Sequence, residues 1–358
     1  MNYYIHVPFC RSKCGYCAFY SEAAPVSDAV DAYLDRLEFQ FDRLEPAEPC
    51  ETVYFGGGTP TLLSEMQLER LFSMTARALR PDSETEISIE ANPETLTVPK
   101  IALLRSFASR ISLGVQSFDA RFRATLGRDC EQAALERAIE RVAAARFPHW
   151  SCDLIYAIPG QEPADFERDL ARAVALGIDH LSCYSLTPEE GARLADSLIP
   201  DEDDAARMWE LAGRCGLPRY EISNYAAPGC ECRHNRNVWR GGLLTGLGPA
   251  AAGFDGTDRK SEPASLAGWL RGDPPEIDAI APAERLNEIF AVNLRTASGW
   301  TPELWAKVPN ADAWDARVAA ARRAAAETLP EWFDISPERI TLSDSGLLFW
   351  NTVAETIL

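Results

Sequence analysis

The stretch Asn2-Tyr3-Tyr4-Ile5-His6-Val7-Pro8-Phe9-Cys10-Arg11-Ser12-Lys13-Cys14-Gly15-Tyr16-Cys17 decides how this chain is read. Residues 3–7 have the aromatic and β-branched makeup of a strand, and a loop with three cysteines follows at once. Strand-like runs then recur at residues 52–55, 86–90, 111–115, 152–158 and 180–186. Between them lie amphipathic helical patterns at 28–44, 65–78, 131–145 and 163–175, with polar starts and apolar residues at three-four spacing. Such alternation predicts an α/β fold built on a parallel sheet or barrel. Six repeats fall short of a full eight-unit barrel, so a partial (β/α)6 TIM-like barrel is expected. In parallel barrels the active site gathers at the C-terminal strand ends. The cysteines, Gly56-Gly57-Gly58, Glu90 with Asn92-Pro93, and Gln116 with Ser117 all stand just after strand runs. They should face one cavity.

The rhythm changes after about residue 200, which divides the chain into a barrel at 1–200, an extension at 201–282 and a small module at 283–358. In the extension, residues 220–225 read as a further strand, and the Pro-, Gly- and Asp-rich stretch 263–282 reads as a surface connection. The last part is helical through residue 326 and ends in two short apolar runs, 339–342 and 346–350. A small helical and hairpin, winged-helix-like domain is expected there.

Composition narrows the class of protein. With 358 residues and 46% apolar content the chain can bury a large core. A net charge of -19 disfavours phosphate backbones, so no nucleic-acid partner is expected. No apolar run approaches the roughly 18 residues of a membrane span, and the first residues read as strand rather than signal peptide. A cytoplasmic protein is expected, with peripheral membrane contact still compatible. Ten cysteines in such a chain suggest metal or redox chemistry rather than a disulfide scaffold. Cys50, Cys130, Cys152, Cys183, Cys215, Cys230 and Cys232 are scattered, several of them within apolar patterns.

The remaining three, Cys10-x-x-x-Cys14-x-x-Cys17, place three thiolates in one short loop. Three cysteines can hold a [4Fe–4S] cubane and leave one iron open to a further ligand. Phe9, Tyr16 and Phe19 interleave with them and should shield a cluster from water. The spacing also admits a three-cysteine zinc site with a fourth ligand elsewhere, or free thiols, although no second knuckle or His pair stands at a suitable distance. Phe55-Gly56-Gly57-Gly58-Thr59-Pro60, after the second strand run, is a place where main chain can approach a ligand closely, or simply a tight turn.

Taken together, the triad after strand one and the glycine run after strand two resemble the radical S-adenosylmethionine (SAM) superfamily. Tyr4-Ile5-His6-Val7-Pro8-Phe9-Cys10, Gly114-Val115-Gln116-Ser117-Phe118, Leu126-Gly127-Arg128, Asp153-Leu154-Ile155-Tyr156, Tyr220-Glu221-Ile222-Ser223-Asn224-Tyr225 and His234-Asn235-Arg236-Asn237-Val238-Trp239 narrow the resemblance. They are similar to the oxygen-independent coproporphyrinogen III oxidase-like family, from Tyr3 to the C-terminus. That resemblance implies a radical SAM barrel in which Cys10, Cys14 and Cys17 hold a [4Fe–4S] cluster that binds SAM and cleaves it reductively. It places SAM contacts on Tyr4, Gly57, Gly58, Thr59, Glu90, Gln116, Arg128 and Asp153. An acidic side chain suits ribose hydroxyls or the ammonium, and Arg128 suits the carboxylate.

Oxidases of this family resemble C-x-x-x-C-x-x-C-x-C and carry an N-terminal extension, whereas here Phe19 occupies the fourth cysteine position and three residues precede Tyr4. Both features are similar to the heme chaperone branch. The resemblance then implies heme as a third bound group, heme-accepting proteins (membrane respiratory enzymes among them) as partners, and an electron donor of the flavodoxin or ferredoxin kind. The alternative is an enzyme that turns the same machinery on a porphyrinogen or another organic substrate. Two positions depart from the branch: Val238 stands where a Tyr is usual, and no His stands near Ala252. Of the four histidines, His6 is expected to support the cluster site, and His149 and His180 to be structural. His234 is the candidate heme contact. Cys230-x-Cys232 beside it reads either as a ligand pair or as two loop thiols.

Overall fold

The computed structural model describes residues 1–45, 48–128, 130–187, 192 and 202–358. Six parallel strands form its centre: β1 (Asn2–Val7), β2 (Thr52–Gly57), β3 (Glu86–Ala91), β4 (Arg110–Gln116), β5 (His149–Tyr156) and β6 (His180–Ser185). Helices α1 (Ser27–Asp42), α2 (Glu65–Leu79), α3 (Val98–Phe107), α4 (Gln132–Ala145) and α5 (Pro163–Ala175) connect them, and α6 (Glu202–Ala212) follows β6. This is the α/β partial barrel that the strand-helix rhythm predicted.

Every central strand alternates. Ile5, Val7, Val53, Phe55, Ile87, Ile89, Ile111, Leu113, Cys152, Leu154 and Leu181 share one core with Tyr33, Leu37, Leu68, Leu71, Leu104, Leu135 and Phe166 of the helices. The intervening positions are Tyr4, His6, Tyr54, Ser88, Glu90, Ser112, Ser151, Asp153 and Ser182. Strands of a parallel sheet covered on both faces usually run apolar throughout. Alternation in a parallel sheet therefore marks an interior lined for chemistry rather than filled as a core.

Beyond β6, residues 220–225 form a hairpin rather than one strand, β7 (Arg219–Glu221) and β8 (Asn224–Ala226). The Glu221 carboxylate accepts from Ser223 N at 2.9 Å and also from the Asn224 amide, which folds the chain back at Ile222-Ser223. After α7 (Arg233–Trp239) come β9 (Leu244–Leu247), β10 (Ala252–Phe254), β11 (Asp258–Ser261) and β12 (Glu276–Ala279). The sheet order is β12-β11-β10-β9-β1-β2-β3-β4-β5-β6-β8-β7, with β9 parallel to β1. The expected surface connection at 263–282 is more than that. It supplies the edge strand β12 and a short helix, Leu266–Arg271, whose Trp269 is buried at 5.5 Å from the Tyr33 ring.

A second core joins Leu286, Ile289, Phe290, Trp300, Trp305, Val318, Ile340, Leu342 and Val353. It is made by α8 (Pro282–Asn293), α9 (Trp314–Glu327), a hairpin of β13 (Phe333–Ile335) and β14 (Ile340–Leu342), and α10 (Trp350–Ile357). The fully buried Glu221 fastens this module to the barrel extension through Arg295, Nη2 to Oε2 at 2.9 Å. Among the described residues no helix is long and apolar enough to cross a membrane.

Candidate functional site

The cysteine loop leaves the C-terminal end of β1 through a short strand, Phe9–Cys10, paired in parallel with Glu22–Ala23. Gly15 N donates to Leu126 O at 3.0 Å and Glu22 N to Pro8 O at 2.6 Å, which pins the loop at both ends. His6 adds a third tie. Its Nε2 sits 3.0 Å from the Tyr20 carbonyl, which can only accept, so Nε2 carries the proton and Nδ1 accepts from Tyr4 Oη at 3.0 Å. Burial lowers the His6 pKa, so the ring is neutral in this role.

The three thiols are half-buried, and burial raises the pKa of Cys10 and Cys17. Their Sγ atoms are not all within 4.8 Å of one another. A single tetrahedral ion with bonds of about 2.3 Å would gather its thiolates more tightly than that. A cubane binds each cysteine on a different iron and spreads them. The donor set therefore fits a cluster better than a zinc ion.

Around the thiols runs a chain of polar contacts. Arg128 Nη1 lies 3.7 Å from Cys14 Sγ, and Nη2 donates to Asn92 Oδ1 at 2.6 Å and to Gly114 O at 3.0 Å. Asn92 Nδ2 donates to Thr59 Oγ1 at 2.8 Å, and that hydroxyl lies 3.7 Å from Cys10 Sγ. Arg128 is 8% exposed, yet its buried Nε has no partner among the described residues, an open donor at the place where a carboxylate is expected. Gln116 ends β4 with φ +66, a left-handed conformation that a non-glycine residue adopts at a cost. Its side chain closes on Gly114, where an added Cβ would come within 3.1 Å of Gln116 Nε2 and 3.4 Å of Arg128 Nη2.

The glycine loop is shaped first by the protein itself. Gly57 has φ +107, and a Cβ there would meet the His6 ring at 2.6 Å; at Gly58 it would meet Phe9 O at 2.7 Å. Bare glycines let the loop after β2 lie flat against β1 and the cysteine strand. Gly57 N also donates to Glu90 Oε2 at 3.2 Å, while Tyr54 Oη donates to Glu90 Oε1 at 2.9 Å. Burial, with the nearby Asp153 charge adding, pushes the Glu90 carboxyl up to about 7. Burial also raises Asp153, whose Oδ1 accepts from Ser112 Oγ at 2.8 Å. Two carboxyls with hindered ionisation facing one polar interior would hold a cation or hydroxyl donors.

The structure thus brings Tyr4, Gly57, Gly58, Thr59, Glu90, Gln116, Arg128 and Asp153 to the same interior as the cysteines. Asn92, Tyr54, Ser112 and His6 belong to that arrangement as well. Asn92 had a sequence signal in its place just after a strand, and His6 was expected to support the cluster site; Tyr54 and Ser112 had none. Phe19 departs from its expected shielding role: it is 72% exposed, whereas Phe9 is fully buried and Tyr16 packs against Phe122 and Leu126.

His234 lies elsewhere, at the opposite end of the strands. Its Nδ1 is 2.8 Å from Thr52 Oγ1, at the first residue of β2, roughly 15 Å along the strand from the glycine loop. The Thr52 hydroxyl gives its proton to Asn2 Oδ1 at 2.8 Å, so His234 donates from Nδ1 and keeps a lone pair on Nε2. The ring lies 5.0 Å from Tyr54, and burial lowers its pKa to about 4. Glu86 caps the same helix by accepting from Arg233 N at 3.2 Å and His234 N at 3.1 Å. Cys230 and Cys232 part company: Cys232 Sγ lies 3.6 Å from Glu86 Oε1, and Cys230 faces Asp179.

A half barrel with three cysteines after its first strand and a glycine loop after its second defines a class, and comparison with known proteins agrees. Residues 4–173 match the family described as the radical SAM superfamily. The chain is 35% identical to the heme chaperone HemW of Mycobacterium tuberculosis, over 99% of this chain and 94% of that one. To the heme chaperone HemW of Synechocystis it is 32% identical, over 86% and 80% of the two chains. The coproporphyrinogen III oxidase HemN of Escherichia coli, a radical SAM enzyme, superposes with a TM-score of 0.85 over 99% of this chain and 89% of that one, at 20% identity, and so shares its fold. The chain belongs to the heme chaperone HemW family, and its residues 4–173 form a radical SAM domain. Membership in the superfamily brings with it a [4Fe–4S] cluster and SAM.

Proposed function

We propose that this protein carries a [4Fe–4S] cluster on Cys10, Cys14 and Cys17, binds SAM beside it, and takes up heme for delivery to acceptor proteins in the cytoplasm or at the membrane surface. The observation that carries the heme reading is 35% identity along 99% of the chain to a protein named as a heme chaperone. Phe19 in the fourth cysteine position supports it. When bound, the cluster would supply the electron that SAM cleavage requires. The chain's own residues do the positioning. Arg128 offers its unpartnered Nε to the SAM carboxylate, and Glu90 and Asp153 accept from the ammonium or ribose hydroxyls. Gly57, Gly58 and Thr59 let the main chain run close beneath, with Tyr4 and Gln116 bordering the interior. Phe9 and Tyr16 keep water from the cysteine loop.

For heme, His234 offers Nε2 while Thr52 orients the ring through Nδ1, the arrangement in which histidines usually bind metals. Anaerobically reconstituted protein titrated with hemin should show a saturable Soret band near one heme per chain. Absence of saturable binding would overturn the carrier reading. In His234→Ala an unchanged heme spectrum and affinity would remove that residue from the heme site. The convergent carboxyls and Arg128 also support a second reading, radical chemistry on an organic substrate, with turnover of coproporphyrinogen under reducing conditions as its test. An electron donor of the flavodoxin or ferredoxin kind would serve either reading.

A further inference from the structure

A second group of ligand-type side chains sits at the opposite end of the barrel from the cluster loop. His149 begins β5, Asp179 immediately precedes β6, and Cys230 lies in the segment leading into α7. One imidazole nitrogen, one carboxylate oxygen and the thiol sulfur all lie within 4.8 Å of one another, and all three residues are half-exposed. His149 Nδ1 is 2.6 Å from Asp179 Oδ2.

We propose that His149, Asp179 and Cys230 form a site for a divalent transition-metal ion of the zinc type, separate from the cluster and with one coordination position left to water. Main-chain and neighbouring side-chain hydrogen bonds hold the three segments in place, one of them on the Asp179 carboxylate through the oxygen that faces away from His149. Ala227 N donates to Asp179 O at 2.9 Å, Cys230 N to Ala227 O at 2.9 Å, Trp150 N to Asp179 Oδ1 at 3.2 Å, and Arg110 Nη2 to Cys230 O at 2.7 Å. A thiolate, a carboxylate and a neutral imidazole carry two negative charges between them, which a divalent cation neutralises. The mix of sulfur and nitrogen selects zinc over magnesium or calcium. Bonds of about 2.0–2.3 Å place tetrahedral donors about 3.3–3.7 Å apart, so the His149–Asp179 pair opens from 2.6 Å to admit the ion while the thiol, now within 4.8 Å, moves in, both by side-chain rotation. Such an ion would tie the starts of β5 and β6 to the segment that carries α7 and His234. It would stiffen the floor of the interior against the module beyond it.

The ordinary alternative is that Asp179 only orients His149 while Cys230 stands by. Metal content separates the two. Cluster-loaded protein is dialysed against a zinc salt, then examined by elemental analysis and zinc X-ray absorption. The expected result is one zinc per chain with a single sulfur neighbour. Binding should weaken about tenfold or more in Cys230→Ser and His149→Ala but not in Cys215→Ser, with cluster absorption and thermal midpoints unchanged in the absence of zinc. Substoichiometric zinc, undiminished binding in Cys230→Ser, or two or three sulfur neighbours (zinc on the cluster cysteines) would each overturn the proposal.

Discussion

Replacing Glu90 by Gln tests the idea that the barrel interior strains its carboxyls until a ligand arrives. In the folded chain Glu90 titrates at about 7, against an ordinary value of 4.5. At about 1.4 kcal/mol for each tenfold change, that climb is about 3 kcal/mol of destabilisation once the group must ionise. An acid raised on folding leaves stability intact below its unfolded value and removes it as pH rises towards the folded one. Wild-type stability should therefore fall between about pH 4.5 and 7 and level off above. Glu90→Gln cannot ionise, so it should lose little over the same range; its single amide oxygen can accept from Gly57 N while its amide NH2 turns to Tyr54 Oη, which then accepts. Urea midpoints of the cluster-free reduced chain, followed by far-ultraviolet circular dichroism at pH 5.5 and 8, give the comparison. The variant should gain on wild type by about 2 kcal/mol between the two pH values, or less where Asp153 takes part of the relief. SAM binding should move the other way, because the carboxylate that costs stability by itself is the one that would meet the ammonium or ribose. Parallel curves for the two proteins would refute the reasoning, as would unimpaired SAM affinity in the variant.

Gly57→Ala should cost about 1–3 kcal/mol of stability, read as a lower thermal midpoint. Its Cβ would enter the His6 ring at a φ of +107, and that ring is held from both sides by Tyr4 and Tyr20. In Arg128→Lys, SAM affinity measured by equilibrium dialysis should drop roughly tenfold, because the guanidinium fork is gone, while the visible cluster bands persist. Glu221→Ala removes the fully buried carboxylate that pairs with Arg295, itself 18% exposed, and should cost about 2–4 kcal/mol, read as an earlier urea transition. Since Arg295 also lies 4.0 Å from the Trp239 ring, tryptophan fluorescence should report that loosening first.

Some of this was legible in residue order because it is local in the chain. Three cysteines within eight positions, a glycine run one residue past a strand, and helix periodicity all act over one or two turns of backbone. Those features determined the half barrel and the cysteine loop. Even the alternation inside each strand, which makes the interior polar, is written residue by residue. The readings that changed depended on longer reach. Residues 263–282 look like a connector by composition, yet Trp269 finds Tyr33, and β12 finds β11. The run 220–225 has strand chemistry, but the Glu221 side chain bends it into a hairpin. Tertiary structure alone joined Asn92 to both Arg128 and Thr59, turned Phe19 outward, and set Glu86 against the helix that begins with Arg233. It also brought His149 and Asp179 to Cys230. Covalent neighbours constrain each other through a few dihedral angles, so their pattern survives in the sequence. Groups dozens of residues apart meet only when burial of the apolar face has selected one arrangement of the strands, and that choice belongs to the whole chain.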